Sequence, residues 1–402
     1  MMARVFQWLA NLDQALLQAP RAVRIGAFVL TAVVMAATAL PHVPRHIVDF
    51  RGVPMLSSLQ RHDSYGNDTL ADAYEARVVL NDWRDMYTKA RVAMTRLEAA
   101  TWTKEASAPY PPAVLLAEAG LSAVGTSMGI GFYGSILTLA IVFVVLSARY
   151  FLQTRWYLFP ALYVNFVYFS ERFVYVQDCS YLVMLTVVMG ALHLARRGQP
   201  SHALVALATV MKLLPLYYVV NLGTMRRRDA MLYIAILVAG LIIPYFVWEN
   251  YLYIFRYSSE LKGDWDNAAA AFLVAAAFAL VLRYVETRLQ FDWEDRVGWS
   301  LVPFALLLAL KMNAARHLLI VLLVPDKRGI RNIAAAIGLA VPVMFGVPFN
   351  SSLACAALVL IAGLTYYVRE IGWERVRLDL RTPLPTLQEM FLSRTVVGRD
   401  DL

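Results

Sequence analysis

Apolar runs long enough to cross a membrane alternate along this chain with short basic turns, and one long polar stretch interrupts them. A crossing helix needs about 20 apolar residues. Residues 5–18 come first, with apolar positions at helical spacing, which predicts an amphipathic helix in the membrane interface. Arg21 and Arg24 precede the first span, 25–40, so the positive-inside rule puts the N-terminus in the cytoplasm. That span is long enough to stay as an anchor. The polar stretch follows, from His42 to Pro111. It holds nine Lys/Arg and nine Asp/Glu, a balance unlike a cytoplasmic loop, so it is expected outside. Segments 68–80 and 82–100 within it carry helical patterning. Pro111-Pro112 stop one helix and open the next.

The remaining pattern predicts a half-crossing at 113–123, then spans near 130–148, 156–174 and 179–195. Residues 201–224 are apolar but lie between two basic clusters, Arg196-Arg197 and Arg226-Arg227-Arg228, with Lys212 and Pro215 in the middle. One straight span would leave three arginines outside. A broken hairpin keeps both basic ends inside, and broken helices are tolerated where they line a polar cavity. Further spans fall near 230–248, 267–285, 298–311, 317–325, 332–348 and 352–368. The fold expected is all-α and polytopic, with roughly ten to twelve membrane elements. An N-terminal helix (1–24), a membrane domain (25–368) and a cytoplasmic tail (369–402) make up the chain.

Composition agrees. The chain is 59% hydrophobic and 16% charged, with mean hydropathy +0.54. The net charge of +8 marks the cytoplasmic loops and does not call for nucleic acid. Cys179 and Cys355 stand far apart in apolar surroundings, with no disulfide framework or metal-ligand spacing.

Candidate chemistry gathers at the outer ends. Lys311, Arg316 and His317 are cations where the positive-inside rule expects few. Either they reach out to the headgroups or they hold a local anion such as a lipid phosphate. Lys212 is costly in an apolar run: either it turns toward a cavity or an anion, or it reaches the headgroups from an interfacial helix. Asp63 and Asp68 can act as general bases, although Asp68 before Thr69 also reads as a helix cap. Gln177-Asp178 open a span and can simply cap it; Asp264-Trp265-Asp266-Asn267 open another, where Trp265 is either an interfacial belt residue or an aromatic surface for a sugar ring. Polar residues clustered at outer loops, without tandem repeats, favour an enzyme over a transporter or flippase. Arg172, Arg256 and His317 keep a polymerase or ligase using lipid-linked oligosaccharides as an alternative.

The order of motifs resembles the polyprenyl-phosphate-mannose-dependent mannosyltransferases, glycosyltransferase family 87 of the GT-C class. The match runs through Asn67-Asp68, Asp72-Ala73-Tyr74-Glu75-Ala76, Met86-Tyr87 and Tyr110-Pro111-Pro112. It continues through Val176-Gln177-Asp178, Arg196-Arg197-Gly198-Gln199-Pro200, Lys212-Leu213-Leu214-Pro215, and His317 to Pro325. Val176 and Asp178 depart from the family's pattern. The resemblance implies an inverting glycosyltransferase in the bacterial inner membrane with an outward-facing site. The donor would be a polyprenyl-phosphate sugar, most of all mannose, and the acceptor a glycolipid or glycan hydroxyl. No metal or other cofactor would be required. Asp68 would be the base, with Asp63 in reserve. Lys212, Arg316, His317 and Lys311 would grip the donor phosphate, and Tyr110, Gln177, Asp178, Trp265 and Asn267 would contact substrate.

The hairpin reading makes a topological prediction. A charge-side reporter fused after Met225 reports the cytoplasm; a periplasmic signal would break the expected topology.

Overall fold

A computed structural model describes residues 2–39, 111–153, 179–247, 265–311, 318, 321, 324–325, 329–334 and 349–392. Among them the secondary structure is helical, without strands. The expected outer-loop helices, the spans 156–174 and 332–348 save its first three residues, and most of 317–325 lie outside the described residues.

Helix α1 spans Met2–Gln18 and α2 spans Arg21–Ala39, close to the bounds the pattern predicts. Helix α3, Pro112–Ser127, starts where Pro111-Pro112 fix the backbone. Its 16 residues reach about 24 Å, short of a hydrocarbon core of roughly 30 Å. Gly129, at φ +71°, turns the chain into α4, Gly131–Gln153, which packs back along α3. Helix α5 is Cys179–Ala195 and α6 is His202–Met211. Gly198, at φ +75°, makes the tight turn between them, and the Ser201 hydroxyl caps α6 by accepting from the Leu204 N–H at 3.4 Å.

The 201–224 segment is broken and reversed. Helix α6 ends at Met211, Lys212 is extended (φ −151°, ψ 127°), and a 3-10 helix runs over Leu214–Thr224. Pro215 explains the break: it has no N–H, and its ring would strike the Met211 carbonyl of a continuing α-helix. The Tyr218 hydroxyl then shares a 3.0 Å hydrogen bond with His202 Nδ1. A straight helix would set residues 16 apart about 24 Å from each other. The chain has therefore turned back to the base of α6, as the basic flanks suggest.

Helix α7, Arg227–Val247, contains one π turn at Val238–Ile242; α8 is Trp265–Arg288. The expected span 298–311 is divided. Short α9, Trp293–Ser300, ends before a turn at Leu301, and α10 runs Val302–Lys311 with Pro303 in its first turn. Helix α11 is Phe349–Ile371, followed by α12, Trp373–Arg381, and α13, Pro383–Leu392. Among the described residues, three helices are long and apolar enough to cross a membrane: Gly134–Phe151 in α4, Arg227–Val247 and Ala269–Arg288. The α7 window is only 11% buried, against 41% and 39% for the others, so α7 lines the outside of the bundle.

The core runs through α5 and α6, where Leu185, Val188, Leu192, Val205 and Ala208 are buried, and on to Trp299 and Ala305. One face of the bundle carries a polar network. Tyr150 at the end of α4 donates to Glu294, Arg196 lies 3.4 Å from the same carboxylate, and its guanidinium stacks 3.6 Å over the Tyr150 ring. Arg283 is 6% exposed and joins three segments. It donates to Asn221 Oδ1 of the 3-10 helix at 2.9 Å, to the Met390 carbonyl of α13 at 2.7 Å, and lies 3.5 Å from Glu286 Oε2. Arg288 holds Asp379 of α12 at 2.8 Å and Glu389 of α13 at 2.7 Å. On α1, Gln7 accepts from Arg369 at 2.9 Å. The basic turns that the sequence assigns to one side thus converge on one face.

Removing one partner of a buried ion pair leaves the other uncompensated and costs roughly 3–5 kcal/mol. Arg283→Ala is expected to lower the unfolding free energy in detergent by an amount in that range, with a lower midpoint, whereas exposed Arg377→Ala leaves it within about 0.5 kcal/mol. Equal midpoints for the two variants would remove Arg283 as a structural tie.

Candidate functional site

Lys212 is the expected site residue whose side chain is described. It sits at the hairpin tip, about 15 Å from the base of α6, half the hydrocarbon thickness. Its Nζ donates to Ser180 Oγ at 3.0 Å and lies 3.5 Å over the centre of the Tyr181 ring. Both partners belong to the first turn of α5. The hydroxyl and the ring quadrupole together fix the position of the amino group. Because Lys212 is extended, its side chain leaves the α6 axis toward α5; a continuous helix would carry it elsewhere.

Close packing fixes the tip. Gly240 lies in the π turn of α7, and a Cβ there would overlap Val210, two residues before Lys212. Val210 is stiff at χ1 and cannot swing away. The absent side chain at Gly240 lets α7 press on α6 directly below the tip.

Three other expected residues are placed as helix positions: Trp265 and Asn267 in the first turn of α8, and Lys311 at the end of α10. Helices α5 and α8 end on the ionic face, at Arg196 and Arg288, so their first turns lie toward the opposite end. Helix α10 leaves the ionic face after Trp299, which has Arg331 5.6 Å over its ring, and runs the same way. The hairpin tip points there too. The helix ends carrying Lys212, Trp265, Asn267 and Lys311 therefore belong to one end of the bundle. Asp63, Asp68, Tyr110, Gln177, Asp178, Arg316 and His317 lie outside the described residues.

Sequence reading passed over the buried charges. Glu118 in α3 and Glu286 in α8 are 0% and 1% exposed, and Arg331 is 0% exposed. Arg331 donates to the Pro325 carbonyl at 3.2 Å, and a Cβ at Gly298 would fall on its guanidinium. Arg283, Arg288 and Arg331 look in sequence like topology markers at span ends. Their signal is spacing: Arg283 and Glu286 stand three apart on one face of a helix. Near them, Arg296 donates to the Phe291 carbonyl at 2.8 Å. Burial pushes its guanidinium below the ordinary value, and the Glu286 carboxylate opposes that shift. Among the described residues no group of three His, Cys, Asp or Glu is arranged to hold a metal.

Comparisons with protein-family models, with curated proteins and with solved structures returned no match.

Overpacking a rigid contact costs about 1–3 kcal/mol. Gly240→Ala should shift α7 from α6 and lower the unfolding midpoint, with the Gly240→Ala/Val210→Ala pair recovering most of the loss. A double variant no better than the single one would show that the contact does not set the tip.

Proposed function

We propose that this chain is an inverting membrane glycosyltransferase of GT-C type. In this reading it has roughly ten to twelve membrane elements and works in a bacterial inner membrane, with its site facing outward. It transfers a hexose, mannose most of all, from a polyprenyl-phosphate donor to a hydroxyl of a glycolipid or glycan. The observation that carries this reading is the ammonium of Lys212, held by Ser180 and Tyr181 at the tip of a broken hairpin. A cation placed inside an apolar bundle is suited to charge that develops only during reaction. The motif order from Asn67-Asp68 to His317 supports the same reading.

The chemistry follows from the donor. Asp68, or Asp63 in its place, accepts the proton of the acceptor hydroxyl as its oxygen attacks the anomeric carbon. The bond between that carbon and the phosphate oxygen breaks on the opposite face, and the electron pair leaves with the phosphate. The sugar passes through an oxocarbenium-like state and inverts. Lys212, Arg316, His317 and Lys311 stabilise the phosphate charge released in that step, while Tyr110, Gln177, Asp178, Trp265 and Asn267 orient donor and acceptor. Lys212 serves as a point charge, which suits a phosphate in motion; the Arg316 fork suits one held in place.

The test is purified protein with a panel of polyprenyl-phosphate sugars and lipid extract, scored for a new glycolipid by mass. Lys212→Met should lower turnover roughly 100-fold, as loss of one transition-state donor does, with an unchanged unfolding midpoint. Asp68→Asn should abolish transfer. Wild-type turnover in both variants, or no product from any donor, would overturn the reading.

A further inference from the structure

A groove of about 530 Å³ lies between α8, α10 and α11. Phe278, Leu306, Leu360, Leu364 and Val368 line it, and Trp373 of α12 closes one end. The one hydroxyl in the lining, Thr365, is turned back onto the Ile361 carbonyl at 2.8 Å. Apart from the Trp373 indole at its end, the groove therefore offers hydrocarbon to its occupant. It runs from the middle of α8 down to the ionic face, where α11 ends at Ile371.

Helix α12 begins at that end. Gly372, at φ +92°, a conformation that an L side chain rarely adopts, makes the corner. Asp379 then pins α12 to α8 from one side: Arg288 reaches it at 2.8 Å and Tyr284 at 2.9 Å. With Asp379 turned inward, Trp373, Val376 and Leu380 share another face at i, i+3 and i+7. Trp373 is 58% exposed and Leu380 74%. Arg377 and Arg381 flank this stripe, both exposed. The pair between Arg377 and Glu374 is exposed at both ends and too weak to hold Arg377 against a competing anion. An apolar stripe with basic residues along its edge is the pattern of a helix lying in a membrane interface.

We propose that the groove and the basic edge of α12 together bind an anionic phospholipid of the adjoining leaflet. One acyl chain lies in the groove, the glycerol sits by Trp373, and the phosphate meets Arg377 and Arg381. The site stands at the opposite end of the bundle from Lys212 and does not depend on the transfer reaction.

Native mass spectrometry of the full chain, loaded with phosphatidylglycerol or chain-matched phosphatidylcholine, tests this. Wild type is expected to retain phosphatidylglycerol roughly 30-fold better, the two arginines contributing about 1 kcal/mol each near an anionic surface. The R377E/R381E pair, on exposed positions, should abolish the preference with an unchanged unfolding midpoint. Leu364→Trp, filling the groove, should lower retention of both lipids. Equal retention by wild type, a preference unaltered in R377E/R381E, or retention of added polyprenyl phosphate to the exclusion of phosphatidylglycerol would each overturn the proposal.

Discussion

The guanidinium of Arg283 is the tie on which the bundle's arrangement rests. It is nearly buried, so each of its donors must find an acceptor within the protein. It finds them on three segments far apart in sequence: Asn221 at the base of the hairpin, Glu286 on its own helix, and the Met390 carbonyl near the C-terminus. Tyr217 reinforces the same point, donating to the Ala279 carbonyl at 3.1 Å and lying 3.4 Å from Glu286. Apolar packing alone would let helices slide in a membrane, where lipid competes on equal terms with side chains. A planar fork with fixed donor directions does not slide.

That tie separates two ends with different characters. The ionic face is built of partnered charges: Arg196 with Glu294, Arg288 with Asp379 and Glu389, and Arg331 with the Pro325 carbonyl. These contacts hold structure. The other end receives the hairpin tip, where Lys212 is met by a hydroxyl and an aromatic face. Lys212 is a candidate for chemistry by its place at the hairpin tip, and the arginines are candidates for architecture by the segments they join.

Among the described residues, helix positions were largely legible in the sequence. Segment 179–195 was read with the bounds that α5 shows, because an apolar run between polar ends has one solution in a membrane. The hairpin was legible too, since two basic clusters and Pro215 left a straight span implausible. The division of 298–311 into α9 and α10 was not, because an apolar run reads the same whether or not a turn at Leu301 interrupts it. The charge network escaped for another reason. Arg283 and Arg331 have the composition of loop markers, and only the tertiary fold decides that they turn inward. Of the candidate site, Lys212 was legible as a misplaced charge, but its partners Ser180 and Tyr181 were not, being ordinary residues at the start of an apolar helix.

The return limb of the hairpin is 11 residues of 3-10 helix, although runs of this kind seldom pass four. A 3-10 helix rises about 2.0 Å per residue and an α-helix 1.5 Å. The limb thus holds about 5 Å more length than the same residues would in α form. Arg283 and Arg296 anchor its lower end at Asn221 and Thr224. Any change of pitch would therefore be delivered at the upper end, to Lys212. The segment is geometrically a drawn spring with one end fixed and the charge on the other.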